Sequence, residues 1–399
     1  MKKTMFYLKD FNFKNKTVFL RVDFNVPLEK ESGRIRDDTR IQAALPTLEY
    51  LIDQQAKIVA ASHLGRPKGK FNPQLSLRPV AQRLGEILPT RVTLAPDVIG
   101  EEVEKLKLSL QAGEVLLLEN LRFYPGEKEN DLSFAQALAS GIDIYINDAF
   151  GACHRAHASI VTLPQLVPQA GAGFLLEKEL KNLEKIIHHP AKPLVAILGG
   201  AKVADKIPVI RNLLSKASEM LIGGAMAYTF LAAQDHQVGR SLVDEQSLPL
   251  CQELLTLAQK NKVAFYLPVD HVAAPSPEEP EKRQILTEFP FPAELMGLDI
   301  GPQTQKLYTE RIKKAKTIFW NGPMGVFEVP EFAQGTLVVA QAVAESEAFS
   351  VIGGGDSVAA VTQAGVVQAI SHISTGGGAS LEYIANETLP GIEALKEKK

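Results

Sequence analysis

TVFLRVDFN, residues 17–25, is a short apolar run that carries Arg21 and finishes on Asp23 and Asn25. Three more runs in the first half end the same way: KIVAASHLGRP (57–67), VLLLENLRF (115–123) and IYINDAFGACHR (144–155). Apolar, β-branched stretches at 17–22, 57–61, 115–118 and 142–146 read as strands, and their near-continuous hydrophobicity fits strands buried on both faces. Helix-length segments such as TRIQAALPTLEYLIDQQA (39–56) and LRPVAQRLGEIL (77–88) separate them. That alternation demands crossover connections and predicts an α/β fold with a mostly parallel sheet covered by helices.

A second alternation follows, with a different ending. PLVAILGG, EMLIGG, KVAFYLPVD, TIFWNGP and FSVIGGG lie between residues 193 and 355 and close on glycine turns more often than on arginine. Between the halves, LLEKELKNLEKIIHHP places Leu176, Leu180, Leu183 and Ile187 at helical spacing beneath a charged face, predicting a helix that leads into a second domain. The segment DHVAAPSPEEPEKRQILTEFPFPAELMG (270–297) is rich in proline and charge and reads as a surface excursion.

The 399 residues, 45% of them hydrophobic, suit two domains with ample core. Forty-three basic against 46 acidic residues give a formal charge of -3, so no global field recruits nucleic acid and any anion site is a local one. Two cysteines and a start, MKKTMFYLKDFNFKNK, without a long apolar core predict a reducing, cytoplasmic setting. The uncharged stretches 159–176 and 357–381 contain prolines or polar and glycine runs, so no membrane partner is expected.

Arg21, Asp23 and Asn25 stand at period two and converge on one side if the strand continues; a strand-end ion pair with a turn-forming Asn explains them equally well. SHLGRP adds His63 and Arg66 around a glycine turn, NLRF adds Arg122, and ACHRAH adds Arg155 between two histidines. Arginine forks make bidentate bonds to phosphate and carboxylate, and several of them together require a ligand with more than one anionic group. A small phosphorylated acid meets that condition. Zinc fits poorly, because the cysteines complete no tight ligand spacing.

In the second half, LGGAKVADKI puts Lys202 and Lys206 at i,i+4 after a glycine turn, on one face if the segment is helical. GGGDS (353–357) joins a flexible turn to Asp356, a hard oxygen ligand for Mg²⁺ with phosphate. Neither a GxxxxGK[ST] loop nor a GxGxxG fingerprint is present, which argues against a P-loop enzyme and against a nicotinamide-dependent dehydrogenase. A non-catalytic scaffold stays open, although it leaves the Arg, Lys and Asp sets without a purpose.

Taken together, RVDFNVP, TRIQAALPT, SHLGRP, LLLENLRF, DAFGACHRAH, LGGAKVADKI, GGAMAYTF, GLDIGP, WNGPMGVFE, GGGDS and STGGGASLE resemble the phosphoglycerate kinase family over essentially the whole chain. The resemblance implies two Rossmann-like αβα domains: 1–172 with a returning tail at 385–399, a hinge helix at 173–190, and 191–384. It implies reversible phosphoryl transfer between 1,3-bisphosphoglycerate and ADP, giving 3-phosphoglycerate and ATP, by in-line transfer after domain closure, with Mg²⁺ as cofactor in a monomer.

By motif match, Arg21, Asp23, Asn25, Arg40, His63, Leu64, Gly65, Arg66, Arg122 and Arg155 fall on the phosphoglycerate side, with Arg40 and Lys202 nearest the transferred phosphoryl group. Lys206, Asn321, Gly353, Gly354, Gly355, Asp356, Ser357 and Thr375 fall at the nucleotide phosphates, with Asp356 on the metal, Glu328 at ribose, and Gly223, Gly224 and Gly297 around the base. Ala152 and Cys153 stand where Thr and Ala are frequent in the family, which predicts altered loop packing and a thiol liability, with no loss of Arg155's role.

Overall fold

A computed structural model of the chain describes residues 5–29 and 31–396. Residues 1–4, 30 and 397–399, which the expected domains include, lie outside the described residues. The chain divides into two compact units, one running to Leu180 and taking in the segment from Thr388, the other spanning Lys181–Glu387. The division falls inside the helix Phe174–Ile187, where Leu176, Leu180, Leu183 and Ile187 are all buried, as their spacing requires.

The first unit is built on a six-stranded parallel sheet in the order Val92–Leu94, Val115–Leu117, Lys57–Ala61, Thr17–Val22, Ile144–Asp148, Gln169–Ala172. Thr17–Val22 lies at its centre, and Val18 through Val22 are buried. From this strand the chain builds outward on one side and then the other, so the strand order reverses between Thr17–Val22 and Ile144–Asp148. Such a reversal opens a crevice at the carboxyl ends of the strands, the usual ligand position in open α/β sheets.

The second unit repeats the design. Its parallel sheet runs His372–Ile373, Phe349–Gly353, Thr317–Asn321, Leu194–Leu198, Glu219–Ile222, Ala264–Tyr266, and its order reverses between Thr317–Asn321 and Leu194–Leu198. Trp320, fully buried, anchors this sheet's core and donates its Nε1–H to Gly322 O at 2.8 Å. Among the described residues no helix is long and apolar enough to cross a membrane.

The structure holds strands that the sequence reading did not name. QLVPQAGAG (165–173), which carries no continuous apolar run, holds the strand Gln169–Ala172, which Gly171 makes possible because a Cβ there would strike the Phe11 ring and Phe6 O. Segment 270–297 contributes most of a three-stranded antiparallel sheet, Gln284–Leu286, His271–Ala274 and Met296–Ile300, whose first residues are deeply buried. Its outer strand and the turns around it, with residues 281–285 and 292–294 exposed, have the exposure expected of an excursion. Strands Val92–Leu94 and His372–Ile373 are too short to leave a hydrophobic period in the sequence.

Buried carboxylates at strand ends tie the helices to the sheets. Asp270 accepts the Gln303 and Thr304 N–H groups, each at 2.8 Å, and the Thr304 hydroxyl at 2.6 Å, capping the helix Pro302–Ile312 from a distant strand. Asp299 does the same for Gln334–Glu345 through Gly335 N at 2.7 Å, and Asp148 for Phe174–Ile187 through Leu175 N at 2.8 Å. Replacing Asp270 by Ala strands three donors, so it is expected to cost about 2–4 kcal/mol. Urea unfolding followed by the fluorescence of Trp320, the single tryptophan, measures this; a midpoint unchanged from the parent protein contradicts the capping role.

Candidate functional sites

At the crevice of the first sheet the strand Thr17–Val22 delivers Arg21, whose side chain is wholly buried. Its Nε–H donates to Ser159 Oγ at 2.9 Å, its Nη1 to Val22 O, and its Nη2 lies 3.4 Å from His63 Nδ1. The strand ends at Val22, so Arg21, Asp23 and Asn25 do not continue one pleated face. Asp23 instead pairs with Arg40, in the first turn of the helix Thr39–Asp53, and its Oδ1 lies 3.9 Å from His63 Nδ1. Burial opposes the Asp23 anion, but His63, Arg40 and Arg21 outweigh it and hold the carboxyl below its usual pKa.

Asn25 and Asn120 shape the loop that carries His63. Asn25 Oδ1 accepts Gly65 N–H at 2.8 Å, while Asn120 donates to Leu64 O at 2.7 Å and accepts from Leu64 N and Arg122 N. Leu64 and Gly65 thus enter through their backbone, and Arg122 Nη1 closes the loop on Gly65 O at 2.8 Å. Arg122 is buried, its Nε has no partner, and burial together with Arg155 and Arg21 brings its pKa down to about 10. Arg155 is half-buried beside His154 Nε2 at 3.1 Å, and Arg66 is exposed. His63 is held well below its usual pKa, first by burial and then by the neighbouring arginines, against the pull of Asp23.

This assembly concentrates positive charge at the crevice of the first sheet. Arg122 lies within electrostatic reach of both Arg21 and Arg155, and burial strips Arg21 and Arg122 of the water that would screen them. A ligand with two anionic groups relieves both strains. Cys153, beside Arg155 in sequence, is buried, and burial pushes its thiol up to about 12, so the expected thiol liability is absent.

At the crevice of the second sheet a cavity of about 330 Å³ is lined by Lys202, Lys206, Asn321, Gly354, Gly355, Asp356 and Ser357. Lys206 is the buried member: its Nζ donates to Asn321 Oδ1 at 2.6 Å and to Asn321 O at 3.0 Å. Burial lowers its pKa to about 8, while Asp356 and Asp205 pull in the opposite direction. Asn321 turns its Nδ2 to Gly353 O at 2.6 Å, and Ser357 Oγ accepts Gly322 N–H at 2.6 Å, so these two polar side chains brace the cavity wall. The helix Gly355–Gln363 begins at this wall, and the first amides of a helix have no partner within it.

The two lysines do not share a helical face. The chain forms a 3-10 turn over Ala204–Lys206 and enters the helix Ile207–Leu213 only afterwards, because Pro208 suits a first turn and cannot sit deeper. Lys202 is exposed at the cavity rim. The glycine turns also have an internal cause: Cβ atoms at Gly199 and Gly224 would collide with Pro323 O and Gly200 N, so these strand-end turns pack on each other. Gly223, Gly224, Gly297, Glu328 and Thr375 do not line the cavity; Gly297 lies against the Tyr228 hydroxyl, Glu328 is exposed and Thr375 is half-buried.

The family model described as phosphoglycerate kinase matches residues 8–387. The phosphoglycerate kinase of Acidobacterium capsulatum is 54% identical over 399 residues, covering 98% of this chain and 99% of that one, and that of Moorella thermoacetica is 53% identical over 98% and 99%. The solved structure of phosphoglycerate kinase from Coxiella burnetii superposes with a TM-score of 0.90 at 38% identity, covering 98% of this chain and 99% of its own. That from Pyrococcus horikoshii gives 0.80 at 37% identity, covering 98% of each.

An anion entering the second cavity favours the charged form of Lys206 and raises its pKa above the free value of about 8. Sulfate, which does not titrate in this range, is expected to bind with constant affinity below pH 8 and to weaken by about tenfold per unit above it until the complex itself deprotonates. Backbone amide NMR shifts of residues 354–357 report this binding separately from the arginine cluster. A flat affinity from pH 7 to 10 contradicts the role given to Lys206.

Proposed function

The chain belongs to the phosphoglycerate kinase family, and from that premise we propose that it reversibly transfers the acyl phosphate of 1,3-bisphosphoglycerate to ADP, giving 3-phosphoglycerate and ATP. One observation supports this reading most: each parallel sheet carries an anion-receptive site at its own reversal of strand order, arginine-lined in the first and lysine-and-amide-lined in the second. The first site suits a compact acid with phosphate and carboxylate groups. The second suits the phosphates of a nucleotide.

In this reading Arg66, Arg122, Arg155 and His63 hold the three-carbon acid, Asp23 orients Arg40, and Asn25 fixes the Leu64–Gly65 backbone around it. Arg40 and Lys202 meet the phosphoryl group in transfer. Lys206 and the amides of residues 354–357 take the nucleotide phosphates, Glu328 the ribose, and Gly223, Gly224 and Gly297 the surroundings of the base, while Thr375 belongs to a moving junction.

Among the described residues no three or more His, Cys, Asp or Glu side chains cluster as a metal cage. Asp356, exposed on the cavity wall, fits Mg²⁺ carried in with phosphate, since that ion keeps most of its ligands as water and phosphate oxygens. When bound, it supplies positive charge to the phosphate oxygens.

In the direction of ATP use, a carboxylate oxygen of 3-phosphoglycerate attacks the γ-phosphorus, the acyl phosphate bond forms, and the bond to the β–γ bridging oxygen breaks with its electron pair leaving on ADP. The attacking carboxylate is already ionised at neutral pH, so no general base is needed. Positioning and neutralisation of the equatorial oxygens carry the rate. Closure of the two units brings the ligands together and excludes the water that would hydrolyse an acyl phosphate.

Purified protein with MgATP, 3-phosphoglycerate and hydroxylamine is expected to yield hydroxamate, the trapped acyl phosphate, in step with ADP. ADP release that is independent of the acid overturns the proposal. Arg40→Ala is expected to lower kcat by about 10²–10³-fold while changing nucleotide affinity by less than about twofold, measured by steady-state kinetics and calorimetry. An unchanged kcat removes Arg40 from the transfer step.

A further inference from the structure

Glu127 and Ser159 are fully buried beneath the arginine cluster, and neither belongs to the residues that the sequence assigned to a ligand. Glu127 lies in the short helix Pro125–Glu129, Ser159 in the helical turn Ala158–Thr162. Glu127 Oε2 accepts the Ser159 N–H at 3.0 Å and Oε1 accepts the Ser159 hydroxyl at 2.7 Å. With its one proton committed to the carboxylate, Ser159 Oγ meets Arg21 Nε at 2.9 Å only as an acceptor.

The direction of every later bond follows. Arg21 is all donor: Nη1 is taken by Val22 O, and Nη2 lies 3.9 Å from Glu127 Oε1 and 3.4 Å from His63 Nδ1. A guanidinium has no lone pair to offer, so His63 Nδ1 accepts and the ring proton resides on Nε2. Asp23 Oδ1, 3.9 Å from the same Nδ1, pulls the other way, toward a proton on Nδ1. The tautomer is therefore decided by a contest between Arg21 and Asp23, and Arg21 wins only while its plane is held.

We propose that Glu127 and Ser159 are positioning residues for the transfer reaction, locking Arg21 so that His63 keeps its proton on Nε2 and offers that N–H to phosphoglycerate. The part concerning phosphoglycerate rests on the function proposed above; the tautomer does not. Arg21 becomes, in this account, a residue that acts through His63. Glu127 also supplies the negative charge that a buried Arg21 requires, with His157 Nδ1 3.7 Å from the same carboxylate oxygen.

The test uses full-length protein labelled with ¹⁵N-histidine, as parent, Ser159→Ala and Glu127→Gln. Long-range ¹H–¹⁵N correlation spectra identify the protonated ring nitrogen of His63, and steady-state kinetics give KM for each substrate. The parent is expected to show the proton on Nε2, and Ser159→Ala to shift population toward Nδ1–H. In both variants KM for 3-phosphoglycerate rises about tenfold while KM for ATP stays within about twofold.

Glu127→Gln keeps a side chain of the same shape, so the test survives if one variant folds poorly. A parent proton on Nδ1, an unmoved tautomer in both variants, or an equal rise in both KM values overturns the proposal. If the parent turns over no 3-phosphoglycerate, the function is wrong, while the spectra still decide whether Arg21 sets the tautomer.

Discussion

Like charges held close together in a dry place are the constraint around which the first unit is organised. Arg122 lies within electrostatic reach of both Arg21 and Arg155, and Arg21 has no contact with solvent. Such a set is tolerable only with counter-charge below and fully used donors. Glu127 and Asp23 provide the charge, while Ser159, Val22 O, Gly65 O and His63 take the N–H groups. The unpartnered Nε of Arg122 and the exposed Arg66 are what is left over.

The crevice of the second unit is built differently. One buried ammonium group, Lys206, is steadied by Asn321 and only partly supported by the charges of Asp356 and Asp205. Backbone replaces the missing side chains: the strand-end turns press on each other so closely that Gly199 and Gly224 admit no Cβ, and a helix begins where the cavity ends. Side-chain forks discriminate among small acids by geometry. An amide-lined cavity accepts a phosphate chain with less demand on its shape.

Much of the fold could be read directly. The strands at 17–22 and 57–61 have the expected limits because both are buried along nearly their whole length, so hydrophobicity and structure end together. The strand Gln169–Ala172 escaped because it is built of Gln, Ala and Gly, with Gly171 making room for the Phe11 ring, and leaves no hydrophobic period. Residue types at the sites were legible; their depth was not. Nothing in RVDFN distinguishes a sealed Arg21 from a solvent-facing one, since its partner Ser159 stands 138 residues away. The i,i+4 spacing of Lys202 and Lys206 misled for a local reason, the proline at 208 that delays the helix.

In the proposed function two unlike anion sites divide the labour, and a crystal structure with 3-phosphoglycerate and a non-hydrolysable Mg²⁺ nucleotide decides it. It is expected to show the acid on Arg122, Arg155 and His63, and the nucleotide phosphates on Lys206 and the amides of residues 354–357. Nucleotide phosphates among the arginines of the first unit, or the acid in the lysine cavity of the second, would contradict it.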